Sequence, residues 1–292
     1  MIKSSIRVVY LGLFSIKDMY TSILLFMSLL LLCLMPSNSY SGTLTVGGTG
    51  ASLGTMQYMA DAYMKQYPND IVVVLPSLGS GGGIKAVIKG VVGLSFSGRP
   101  LKEKEVKIGL KQYPYAKSPF VVVVNEINPI SNVSFKQLAD IYSGKTTEWP
   151  NKQHIKIVMR DERESDTEFL RSISPEVKLA VNIGLKRKGM LFAVTDQESV
   201  KLLQDFDGSI GTSTLTQIIS EKLKLKALSL EGIKPTTSNV LNTSYPYFKE
   251  FRIITPEAPS NAARRFIEFI FSDHGEKILQ ENGCLLAGRT EP

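Results

Sequence analysis

Thr43-Leu-Thr-Val-Gly-Gly-Thr-Gly-Ala-Ser-Leu53 holds a short β-branched run, a glycine break and the start of a helical apolar pattern. Leu53, Met56, Met59, Ala60 and Tyr63 carry that pattern on at the spacing of one helix face. The same order then recurs. Residues 71–75 read as a strand, and their unbroken apolar run predicts burial on both faces. Pro76-Ser-Leu-Gly-Ser-Gly-Gly-Gly83 is a second glycine loop, followed by helical residues 84–89. Residues 93–97 give a third strand that turns at Gly98-Arg-Pro100. Strand, loop and helix in repetition predict an α/β fold with a largely parallel sheet.

Further along, residues 119–124 form the most apolar strand outside the N-terminal segment, and Ser134 is placed to cap a helix running to residue 142. A strand over 154–159 leads into the polar stretch Arg160-Asp-Glu-Arg-Glu-Ser-Asp-Thr167. Short strands are expected at 209–211 and 227–230, a longer one at 251–254, and an amphipathic helix over 262–271. There is no internal repeat, low-complexity tract or long linker, so a division into lobes would have to come from topology.

Composition narrows the function. Of 292 residues, 43% are apolar and 21% charged, which excludes a disordered, collagen-like or polytopic membrane chain. The formal charge is +7, but the densest basic run, Lys186-Arg-Lys188, is only three residues long. A nucleic-acid surface needs a basic face interleaved with stacking aromatics, and none is visible. Two Cys and two His leave no disulfide framework and no metal-ligand motif, so neither a metal nor a cofactor is expected. Ile23 to Met35 is uncharged and apolar, with Lys3, Arg7 and Lys17 before it and small residues after Pro36. That is the pattern of a secretory signal peptide over residues 1–41, short for a membrane span, and it points to the periplasm; an uncleaved anchor and a lipoprotein attached at Cys33 are the alternatives. Its removal would leave Cys284 as a lone thiol, read as a small buried hydrophobe.

Three loops sit between a strand and a helix start: Gly48-Thr-Gly-Ala-Ser52, Gly79-Ser-Gly-Gly-Gly83 and residues 160–167. Helix first turns present unpaired N–H groups and the positive end of the dipole, and small residues let an anion approach them. Hydroxyls add donors, and Arg160 or Arg163 would add a fixed charge. An enzyme reading is also open. Gly50-Ala-Ser-Leu-Gly54 matches the G-x-S-x-G nucleophile elbow after a strand, with Ser52 as nucleophile. It requires a His partner, and His154 and His274 are the only candidates.

At these loops the chain resembles the phosphate-binding proteins of bacterial ABC transporters. Gly48-Thr-Gly-Ala-Ser-Leu53 is similar to the family's first-loop G-A-G-A-T-F, and Leu78-Gly-Ser-Gly-Gly-Gly-Ile-Lys85 to its G-S-S-G-G-V-K. Asn128 to Phe135, Leu138 to Lys145 with Trp149, Asp207-Gly-Ser-Ile-Gly211 and the closing segment Phe266 to Ser272 with Gly275 extend the resemblance over the chain. It implies a two-lobed periplasmic-binding-protein-like fold, each lobe a mixed sheet flanked by helices, with two hinge crossings. Lobe one would take residues 42–123 and 243–292, and lobe two residues 124–242. It further implies a monomer that captures a small oxyanion, phosphate foremost, without catalysis, and delivers it to an ABC permease. A sensor or accessory protein of the same fold is the alternative. The resemblance assigns ligand contacts to Ser52, Leu53, Ser80, Gly81, Ser97, Gly98, Ser165, Asp166 and Thr167, with Arg160 or Arg163 supplying charge. Two positions depart from the family. Gly98 stands where the family often carries an Asp that accepts the ligand's proton. Asp166 stands where the family has Gly, either facing the anion or capping its helix.

Overall fold

The computed structural model describes residues 42–288; the expected signal segment 1–41 lies outside them. Strand β1 (Thr43–Gly48) runs into a single 3-10 turn (Gly50–Ser52) and helix α1 (Leu53–Gln66). β2 (Ile71–Val74) leads to α2 (Gly79–Ile88), and β3 (Leu94–Ser97) to the short α3 (Glu103–Lys107). The glycines of the second loop therefore belong to a helix: residues 79–83 are the first turn of α2, stabilised from below by packing of Ile84 and Val87. Next comes β4 (Lys111–Asn125), the longest strand, followed by β5 (Asn132–Val133) and α4 (Phe135–Ser143). Ser134 caps α4 as expected, accepting from Gln137 N while the Gln137 side chain returns to Ser134 N.

β6 (Lys156–Arg160) feeds α5 (Ser165–Ser172), and α6 (Pro175–Gly184), β7 (Leu191–Ala193), α7 (Asp196–Asp205), β8 (Ser209–Thr214) and α8 (Leu215–Ser220) follow. β9 (Leu225–Ala227), β10 (Ser229–Leu230) and α9 (Thr237–Leu241) lead to β11 (Phe248–Thr255). The described chain ends with α10 (Asn261–Ile270), α11 (Asp273–Glu281) and β12 (Leu285–Leu286).

The main sheet has the order β2-β1-β3-β11-β4-β8-β6-β7. It is mixed rather than largely parallel. β1 pairs in parallel with β2 and β3, whereas β11 runs antiparallel to both β3 and β4. Two strands, β11 and β4, separate the parallel group β2-β1-β3 from the parallel group β8-β6-β7. β2 closes one end of the sheet, which corrects the expectation that residues 71–75 are covered on both sides: Ile71 is 51% exposed and Val73 41%.

β4 joins two sets of cores. Residues 111–119 pair with β11, and from Phe120 onward the strand pairs with β8. On the first side, Val46, Met56, Met59, Tyr63, Phe96, Phe251 and Phe266 form a core beneath α1 and α10, while Ile84, Val87 and Ile254 pack under α2. On the second side the period-two alternation of β4 is visible in its partners. Phe120, Val122 and Val124 join Leu138, Tyr142 and Val181, and Val121 and Val123 join Val200 and Leu203. Each fully buried side chain of this size contributes about 1.5–3 kcal/mol. Both halves are thus sheets covered on two faces, and the helix N-termini collect where the halves meet.

Candidate ligand-binding site

Gly98 is the centre from which the site is best built. It follows β3 directly, and its backbone N–H donates to the Ser80 hydroxyl at 3.0 Å, joining the β3 turn to the first turn of α2. A Cβ placed on Gly98 would lie 3.7 Å from the hydroxyl oxygens of both Ser80 and Ser165, and 3.8 Å from Cδ of Lys249. The N-termini of α2 and α5 and the start of β11 therefore meet around one bare Cα. Gly81, one turn position on, has no heavy atom within 4 Å of where a Cβ would stand.

Lys249 is almost fully buried. Its ammonium donates to Ser165 Oγ at 3.1 Å and forms an ion pair with Asp166. Asp166 thus faces inward and does not cap α5, whose N-cap residue is Glu164. Burial pushes the Asp166 carboxyl up, but Lys249 and then Arg160 outweigh it and hold it below the usual carboxylate range.

Arg160, at the end of β6, is also buried. Nη1 donates to Asp196 at 2.7 Å, and Nη2 to the Val194 carbonyl at 3.1 Å and Glu164 at 3.3 Å. Its Nε is buried with no hydrogen-bond partner. Asp196 opens α7; burial raises its pKa, the charge of Asp166 adds to that, and Arg160 offsets only part of it. Burial likewise raises Glu164.

The first loop completes the ring. Gly50 lies against α7: a Cβ there would fall 2.3 Å from Gln197 Oε1 and 2.7 Å from Asp196 Oδ2, so a larger residue would have to displace those side chains. Gln197 donates to the Gly50 carbonyl at 3.0 Å, Thr214 to the Ala51 carbonyl at 2.9 Å, and the hydroxyls of Thr55 and Thr216 are 2.6 Å apart. Ser52 is buried, with its Oγ accepting from the Tyr115 hydroxyl at 3.3 Å, and Leu53 begins α1 half-buried. For the elbow reading, the group beside Ser52 is thus a tyrosine whose pKa is raised by burial. His154 is exposed in a bridge to Glu148, and His274 packs on Phe269.

Three expected contacts are placed differently. The Arg163 side chain is 84% exposed and bonded to exposed Asp161, because the turn closed by Glu164 N to Asp161 O directs it outward. Ser97 uses its hydroxyl within its own turn, donating to Arg99 O at 2.7 Å. Thr167 donates to the Arg160 carbonyl at 3.1 Å and so fastens α5 to β6. Conversely, Lys249, Asp196 and Gln197 carry no motif. A signal for Lys249 does exist: it shares the buried period-two face of β11 with Phe251 and Ile253, an unusual place for an ammonium. Among the described residues, no cluster of three or more His, Cys, Asp or Glu could hold a metal ion.

A family model for the PBP superfamily domain matches residues 36–274. This chain belongs to the PBP superfamily. Phosphate-binding protein PstS of Bacillus subtilis is 26% identical over 256 residues, covering 84% of this chain and 81% of its own. Protein SphX of Synechococcus elongatus is 27% identical over 270 residues, covering 82% and 76%. A crystal structure from Clostridium perfringens, provisionally assigned as a phosphate ABC transporter substrate-binding protein and holding bound phosphate, superposes with a TM-score of 0.72. It is 23% identical, over 84% of this chain and all of that one, and the likeness is one of fold: a two-lobed α/β architecture with a mixed sheet flanked by helices. No helix among the described residues is long and apolar enough to cross a membrane.

Proposed function

We propose that this chain is a periplasmic solute-binding protein that captures a small oxyanion, phosphate foremost, and presents it to an ABC permease. The observation that carries the reading is the gathering of helix N-termini, two serine hydroxyls and the buried Lys249 around Gly98, with the buried Arg160 bonded to Glu164 at the start of α5. Such a site binds by donors and field and needs no covalent step. The Bacillus subtilis relative, named as a phosphate-binding protein, supports phosphate over other oxyanions. Ser80, Ser165, the N–H groups of the first turns of α2 and α5, and one buried cation would hold the anion. Arg160 rather than Arg163 is the arginine of the site. The lobes would be residues 42–123 with 243–292, and 124–242, hinged near the end of β4 and where the chain returns before β11. Residues 1–41 would direct export.

Calorimetry and thermal shift with phosphate, sulfate, molybdate and small carboxylates test this. Phosphate should raise the melting temperature increasingly as its concentration passes Kd, by about 3 kcal/mol of stabilisation at a hundredfold excess over Kd. No heat and no shift at millimolar phosphate would overturn phosphate as the solute.

A further inference from the structure

Lys249 raises a question that the oxyanion reading alone does not answer. A lysine on the buried face of a strand must be paired, because an isolated ammonium in an apolar interior is strongly disfavoured. Asp166 and Ser165 provide that pairing, and the Phe120 ring lies 5.9 Å from Nζ. Those contacts take two of the three ammonium protons. The same side chain borders the space above Gly98, together with the hydroxyls of Ser80 and Ser165.

Arg160 is held differently. Both of its terminal nitrogens are committed to Asp196, Glu164 and the Val194 carbonyl, leaving only the buried Nε without a partner. The ion pairs at and next to the space join Lys249 from β11 to Asp166, and Arg160 from β6 to Glu164 at the start of α5 and to Asp196 of α7. With every group ionised, three carboxylates face two cations. Helix N–H groups and hydroxyls attract an anion entering this ring, but a full positive charge reaches it only if a cation turns from its carboxylate toward the ligand. Lys249, on a flexible stem with a proton to spare, can do so.

We propose that Lys249 contacts the bound oxyanion directly and that Asp166 competes with the ligand for its ammonium, setting the affinity of the site. The proposal rests on the oxyanion reading above and deepens it. Lys249→Met alone would leave Asp166 buried and unpaired, so the informative variant is Lys249→Met with Asp166→Asn, which removes both charges together. That protein should keep the native circular dichroism and a cooperative melt while its phosphate Kd rises at least ~30-fold, the loss expected for one charge-assisted hydrogen bond. Asp166→Asn alone should lower the phosphate Kd about tenfold by releasing Lys249. A double variant that binds phosphate within threefold of the parent would overturn the contact and leave the pair a packing feature. Weaker binding by Asp166→Asn would overturn the competition. If the parent chain itself binds none of phosphate, sulfate or molybdate, the oxyanion reading falls, and this proposal with it, before any variant is made.

Discussion

Gly48 and Gly98 show how little a residue's identity says before its surroundings are known. Gly48 ends β1 and Gly98 follows β3, and both read as turn glycines. A Cβ on Gly48 would stand 2.0 Å from the Phe96 carbonyl oxygen, so Gly48→Ala forces β1 and β3 apart. It should cost more than about 3 kcal/mol, seen as a lower denaturant midpoint. A Cβ on Gly98 would meet only ordinary contacts at 3.7–3.8 Å, so Gly98→Ala should fold with stability within about 0.5 kcal/mol of the parent. It should nevertheless weaken phosphate binding about tenfold, by filling the room between two hydroxyls, as titration calorimetry would record. The loop motifs reach Ser80 and Ser165 because helix-start chemistry is local in sequence, whereas Gly98 is reached only through family resemblance. Lys249 was not reached, since its pairing with Asp166 joins residues 83 positions apart and no local period reports that. The choice between Arg160 and Arg163 had the same character: spacing admits both, and only burial separates them.

Among the elements, capped helices and apolar strands were legible and sheet edges were not. The Ser134 and Gln137 box announces α4 within four residues. The β2 run, by contrast, looks like a central strand, because the apolar stretch 71–74 says nothing about how many neighbours the strand has. The loop after α1 also depends on an unheralded residue. Asp70 accepts from the Tyr63 hydroxyl at 2.5 Å, from Arg265 of α10 at 2.8 Å and from the Gly42 N–H at 3.3 Å, tying the chain start, α1 and α10 together. Burial works to raise its pKa, but the hydrogen bonds from Tyr63 and Arg265, with the arginine's charge, prevail and lower it. A carboxyl lowered on folding stabilises fully above its unfolded pKa of about 3.9 and loses that contribution as pH falls through the folded value. Asp70→Asn should therefore cost about 2 kcal/mol at neutral pH. Its melting temperature should depend less on acidification below about pH 4 than the parent's.

For the molecule as a whole, several polar contacts cross between the two sets of cores, among them Thr55 with Thr216, Thr214 with Ala51, Gln197 with Gly50, and Lys249 with Asp166. Polar contacts of this kind hold an arrangement that a ligand can bias, since each is replaceable by water. Small-angle scattering should show a contraction when phosphate is added to ligand-free protein, and equal scattering with and without phosphate would mean that the halves do not move. The two-part architecture was legible through family resemblance, whereas the detailed strand order was not, because β11 and β12 reach β4 across more than a hundred residues. That reach also has a kinetic meaning. The core around Phe251 and Phe266 can close only after the last fifth of the chain has been made, and pairings this distant are slow to form. A chain leaving the ribosome would stay open for most of its synthesis, the condition in which a polypeptide can still be threaded through a translocation pore before it folds.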